Sequence, residues 1–147
     1  MSYLLQFDGA SNPNPGPSGS AYVLYSPIEV EKENYVRKPI QEGYIYIPHA
    51  TNNEAEYKAI ILGMEQAHEL NIEHIEIEGD SNLVVNQVLG NWKAKEPNII
   101  PLVTKARNLY QTFKTKKIRH IPREENKDAD VLSKEALKTQ QEIHRLK

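Results

Sequence analysis

Gly43-Tyr44-Ile45-Tyr46-Ile47, followed shortly by Thr51-Asn52-Asn53-Glu54-Ala55-Glu56, is the stretch on which the fold turns. The first segment alternates as a strand does, and the second begins a helical period of three and four. Thr51-Asn52-Asn53-Glu54 has the form of a capping box, in which Thr and Glu each satisfy a backbone N–H of the other. It predicts a helix running to about Leu70, with Ile60, Gly63, Ala67 and Leu70 on its apolar stripe. Four residues before Ile60 stands Glu56, which therefore shares the inward face, whereas Glu54, Lys58, Glu65 and Glu69 fall mostly outward. One acid of this helix points at the core.

Upstream, residues 2–8 and Gly19–Tyr25 read as strands, separated by the turn-rich stretch from Gly9 to Pro17. Ser26–Lys38 is charged, carries a Pro, and reads as a hairpin tip, and Gly43–Ile47 is the returning strand. Downstream, 73–79 is a strand, Ser81–Leu89 a short helix ended by Gly90 and Asn91, and Pro101 sits early in a helix bearing Leu102, Ala106, Leu109 and Phe113. Lys117–Ile121 reads as a fifth strand and Ala129–Leu137 as a last helix. An antiparallel meander followed by helix–strand units predicts an α/β domain: a five-stranded mixed sheet, antiparallel in its first three strands, flanked by helices. Residues 1–138 form the expected domain, and 139–147 a polar C-terminal tail expected to fray.

The chain has 147 residues, enough for one domain that buries about 70% of its unfolded surface. It has no cysteine, hence no disulfide framework, thiolate nucleophile or Cys-based zinc site. No apolar run approaches the roughly 20 residues of a membrane span, and no signal peptide is visible. An intracellular, cytoplasmic setting without membrane contact is the expectation. The formal net charge of −2 is unusual for a nucleic-acid binder.

Four carboxylates stand where a folded domain prefers apolar groups. Asp8 ends the run Tyr3-Leu4-Leu5-Gln6-Phe7, and Asp80 follows His74-Ile75-Glu76-Ile77-Glu78-Gly79. Glu56 and Asp130 lie near the starts of two predicted helices. Gathering four acids inside a fold is costly unless cations neutralise them, and hard oxygen ligands favour magnesium or manganese. Without these four charges the formal balance moves from −2 to +2. That leaves a polyanionic partner neither favoured nor excluded, and any affinity modest and salt-sensitive.

Asp8-Gly9-Ala10-Ser11, Thr51 to Glu56, Gly79-Asp80-Ser81 and the run from His120 to Asp130 together resemble the signature blocks of type 1 ribonuclease H. They occur in that family's order across nearly the whole chain, and their wording is most similar to its archaeal-like branch. The resemblance implies a ribonuclease H-like fold and hydrolysis of the RNA strand of an RNA–DNA hybrid, leaving a 5′-phosphate and a 3′-hydroxyl. It implies two ions, Mg²⁺ or Mn²⁺, held by Asp8, Glu56, Asp80 and Asp130. In that scheme Asp8 bridges both ions, Asp130 serves the nucleophile side, and Glu56 and Asp80 the leaving-group side.

By the same resemblance His120 moves protons or aids product release, and Asn126 is a loop asparagine of the substrate site. Asn14, Asn52, Asn53 and Asn82 match residues that contact ribose, Asn12 lies at a neighbouring sugar position, and Thr51 matches a threonine holding a DNA-strand phosphate. Only RNA offers the 2′-hydroxyl such side chains can read. For Asn12 simple turn chemistry is the competing reading, and a histidine at a strand end is commonly structural. His49, His68, His74 and His144 read as ordinary surface or packing residues.

Many family members carry a basic, Trp-rich helical handle. Here Asn91-Trp92-Lys93-Ala94-Lys95-Glu96-Pro97 leaves no room for it, and Trp92 reads equally as core packing. The expected form is a monomer, and a link to a reverse transcriptase stays open. The competing functions are a nuclease for structured RNA on the same fold, and a non-catalytic hybrid-binding or polymerase-tethered module. A structural Ca²⁺ protein is disfavoured because the acids are dispersed along the chain.

Overall fold

The computed structural model describes residues 1–147. Its centre is a six-stranded sheet whose strands are β1 (Tyr3–Ser11), β2 (Gly16–Tyr25), β5 (Pro39–Ala50), β6 (His74–Gly79), β7 (Thr115–His120) and β8 (Ile143–Leu146). The strand order is β7-β6-β1-β2-β5-β8. β1, β2, β5 and β8 pair antiparallel in succession, while β6 runs parallel to both β1 and β7. Between β2 and β5 the expected hairpin tip forms a separate two-stranded ribbon, β3 (Glu29–Glu31) and β4 (Asn34–Val36). Lys32 and Glu33 make its turn with φ of 49° and 68°.

Four helices cover the sheet: α1 (Asn52–Glu69), α2 (Asn82–Leu89), α3 (Ile100–Gln111) and α4 (Lys127–Thr139). Thr51 caps α1 through the predicted box, its hydroxyl accepting from the Glu54 N–H at 3.1 Å while Glu54 accepts from the Thr51 N–H at 2.9 Å. The first three helices pack over one face, and α4 lies on the other. Alternation along β2 serves both layers: Tyr22 and Leu24 join the main core, and Ala21 and Val23 meet Leu132 and Ala136 of α4. Gly19 lets α4 come close, since a Cβ there would overlap the Ser133 carbonyl oxygen. No helix is long and apolar enough to cross a membrane.

Two expectations are corrected. The sheet has six strands, not five, because the tail expected to fray forms β8, registered from Gln41↔Leu146 to Tyr44↔Ile143. Its strand potential is invisible locally, since an edge strand gains order only by pairing with a partner about a hundred residues away. Several elements are also longer than their local patterns suggest. β1 extends past Asp8 to Ser11, β5 spans Pro39–Ala50, and α4 starts at Lys127.

Candidate active site

Asp8 sits within β1, paired to Ala21 on one side, while its neighbour Phe7 pairs with Gly79 on the other. Asp80 follows β6 directly, so both acids stand at the carboxyl ends of two parallel strands, where sites form in α/β sheets. Glu56 comes from the first turns of α1. Ligand oxygens of Asp8, Glu56 and Asp80 lie within 4.8 Å of one another. α1 approaches β1 this closely because residue 9 is glycine: a Cβ there would overlap the Ala55 carbonyl group. The Gly9 N–H also donates to Glu56, fixing its carboxylate beside Asp8.

The electrostatics match the crowding. Burial, then the charge of Asp80 and contact with Asp130, pushes the Asp8 carboxyl up to about 7. Burial first, then Asp8 and Asp80, drives Glu56 well above the usual carboxylate range, although the Gly9 N–H opposes this. Asp130 stands apart from the tight trio. Its charge helps raise the Asp8 carboxyl, but its own side chain is more exposed and pairs with Lys134 at 3.1 Å. A donor set of buried, hard carboxylates that repel one another fits a divalent metal ion.

This yields a pH signature. The folded-state pKa of Asp8 is raised, so the stability linked to its protonation is fully present below about 4 and lost as pH rises through about 7. Added Mg²⁺ or Mn²⁺ is therefore expected to raise the melting temperature at about pH 8 and much less at about pH 5. Thermal denaturation with and without chelator checks it, and equal shifts at both pH values would contradict the cluster as the binding site.

His120 ends β7 beside Gly79, with its side chain exposed and its Nε2 3.3 Å from the Asp80 carbonyl oxygen. Around the rim, Asn14 Oδ1 accepts from the Asn52 N–H at 3.0 Å, and Asn52 Oδ1 accepts from the Ser11 N–H at 2.8 Å. These two amides lock the β1–β2 loop, whose Asn12-Pro13 and Asn14-Pro15 bonds are cis, to the start of α1. Asn12 is exposed, Asn53 partly so, and exposed Asn82 accepts from the Asn86 amide at 2.7 Å. The Thr51 hydroxyl is engaged in the α1 cap.

Asn126 lies beneath the surface and not on the rim. It is 0% exposed, and its amide donates to the Phe7 carbonyl oxygen at 2.9 Å, so it ties down the strand just before Asp8. Trp92 is 44% exposed in the connection between α2 and α3, which excludes the core-packing reading. Two groups escaped the reading of site residues: the Gly9 N–H, and Arg123, whose Nε lies 3.8 Å from Asp80 Oδ2. Arg123 lies in the quoted block, but only the folded turn Arg123–Glu125 brings it to the acids.

Known proteins share this fold. The reverse transcriptase-like family matches residues 6–136. Ribonuclease HI of Halobacterium salinarum is 40% identical over 131 residues, covering 89% of this chain and 62% of that protein. A bifunctional protein of Mycobacterium tuberculosis is 33% identical over 137 residues, 93% of this chain but 36% of its own length. The chain thus spans less than two thirds of these curated relatives. The crystal structure of RNase H1 from the same halophilic archaeon superposes with a TM-score of 0.86 at 37% identity, covering 95% of this chain and 99% of that one. LC11-RNase H1, solved with an RNA/DNA hybrid, gives 0.79 at 31% identity over 94% and 98%. The buried acids at the strand ends, the six-stranded mixed sheet and these likenesses agree: the chain belongs to the reverse transcriptase-like family and is a ribonuclease H-like domain of the type 1, archaeal-like kind.

Proposed function

We propose that this domain is a metal-dependent endonuclease that hydrolyses the RNA strand of RNA–DNA hybrids, leaving 5′-phosphate and 3′-hydroxyl ends. The observation that carries the reading is the convergence of Asp8, Glu56 and Asp80, from three separate elements, with their oxygens within 4.8 Å. The Ribonuclease HI relative and the hybrid-bound RNase H1 support it. Asp8, Glu56 and Asp80 would hold Mg²⁺ or Mn²⁺, two ions in all, with Asp130 completing the set from the α4 side. Bound ions supply activation of a water and stabilisation of the departing 3′ oxygen.

The chain's own groups do the rest. The Gly9 N–H orients Glu56, and the Asn126 amide fixes the backbone beside Asp8. His120, exposed at the rim, can take up or release a proton where product leaves. Asn12, Asn14, Asn52, Asn53 and Asn82 are the short polar groups that would read 2′-hydroxyls, and Thr51 would hold a phosphate of the DNA strand. The domain acts as a monomer in a cytoplasmic, intracellular setting.

Cleavage of three labelled substrates, a hybrid, an RNA duplex and a DNA duplex, tests the reading. The hybrid is expected to be cut at least about a hundredfold faster than either duplex, because only the hybrid pairs a readable 2′-hydroxyl with a DNA strand. Comparable rates on the RNA duplex would point to the other nuclease class. Hybrid binding without cleavage in either metal would point to a binding module.

A further inference from the structure

One polar row beneath the acid cluster has no role in the reading above. Gln6 pairs in register with Glu78, and Glu78 with Arg119, so the three side chains cross β1, β6 and β7 in a single line. Gln6 precedes Asp8 by two residues and Glu78 precedes Asp80 by two, which is one step of the pleat, roughly 7 Å. Arg119 immediately precedes His120. Glu78 is buried, with its carboxylate filled from both sides: Oε1 accepts from Gln6 Nε2 at 2.8 Å, and Oε2 accepts from Arg119 Nε at 2.8 Å and from its Nη2. Gln6 Nε2 also reaches the Glu125 carbonyl oxygen at 3.3 Å, tying in the turn between His120 and Asn126.

A parallel ladder alone does not distinguish one register from another two residues away, because its backbone hydrogen bonds repeat. Side chains must choose. A buried carboxylate that needs a two-pronged guanidinium on one strand and an amide on the other is satisfied in one register only. α4 packs on β1, β2 and β5, so on this face it does little to set the height of β6 and β7. We propose that Gln6, Glu78 and Arg119 are positioning residues that hold Asp8 and Asp80 level and seat the His120 turn at the rim. The proposal takes the acid cluster as the metal site, and so rests in part on the function proposed above.

The row makes a distinctive prediction because a second ion pair lies one step further from the site. Glu76, level with Leu4 and Lys117, pairs with Arg37. Glu78→Gln and Glu76→Gln therefore remove comparable charges at two distances from the acids. Two readouts are taken well below the melting temperature: Mn²⁺ affinity by isothermal titration, and single-turnover cleavage of a labelled hybrid. Glu78→Gln is expected to weaken Mn²⁺ binding and lower the cleavage rate, each about tenfold, the scale of a small misplacement of catalytic groups. Its half-saturating hybrid concentration should change little. Glu76→Gln should leave both readouts near the wild type, and Arg119→Lys should fall between wild type and Glu78→Gln.

Unchanged Mn²⁺ affinity and rate in Glu78→Gln, or equal losses in Glu76→Gln, would overturn the positioning role. If the wild type bound Mn²⁺ but cut no hybrid, the proposed function would fall. The row would still be judged by the difference in Mn²⁺ affinity between the two variants.

Discussion

Asp8→Asn is expected to reduce single-turnover cleavage of a labelled hybrid by at least about a thousandfold while leaving the fold intact, a loss on the scale of removing a key charge-stabilising group. Asn keeps the shape of Asp8 but removes the charge at the centre of the cluster. Its neighbours Glu56 and Asp80 are both within ligand reach, and the charge of Asp130 adds to the crowding. Stability should move the other way. In chelator at about pH 8 the variant should melt higher than the wild type, because a charge that burial and Asp80 both oppose has been removed. The variant should also gain less from added Mn²⁺. This opposition separates a dead site from a damaged fold. Retention of the wild-type rate would sink the mechanism, since the central acid cannot be dispensable.

Gly9→Ala is the second large effect, and its cause is steric. The added methyl would overlap the Ala55 carbonyl group and lie against the Glu56 nitrogen. Both contacts are backbone, so no side chain can swing aside, and β1 and α1 must part. Overpacking of this kind is expected to cost about 3 kcal/mol, the upper end of the usual range, because backbone and not side chain must move. Separation would also pull the Gly9 N–H from Glu56, so metal binding should fail in whatever fraction still folds. Urea denaturation and Mn²⁺ titration check the two parts. A folded variant with wild-type stability and metal affinity would show that the close approach of α1 to β1 is unnecessary.

The capping box and the inward placement of Glu56 were legible because a helix start is written in adjacent residues. Asp80 at the end of a strand and Ser81 at the start of α2 were legible for the same reason. The asparagines were harder to read. A free amide and one spent on a loop look identical in sequence, yet Asn14 and Asn52 are pinned to backbone groups and Asn126 is wholly buried. β8 was missed since its partner strand lies far away in sequence, and Arg123 because only a folded turn brings it to Asp80.

The four acids and the local elements that carry them are written in neighbouring residues, since strand alternation, helix caps and turn chemistry act over a few positions. Packing of remote segments sets three of those acids in a tight trio with the fourth beside it. The same packing makes glycine at position 9 set the gap between strand and helix, and lines up a polar row beneath the site with the strand registers. These depend on distances between segments remote in the chain, which packing fixes and which no local pattern encodes.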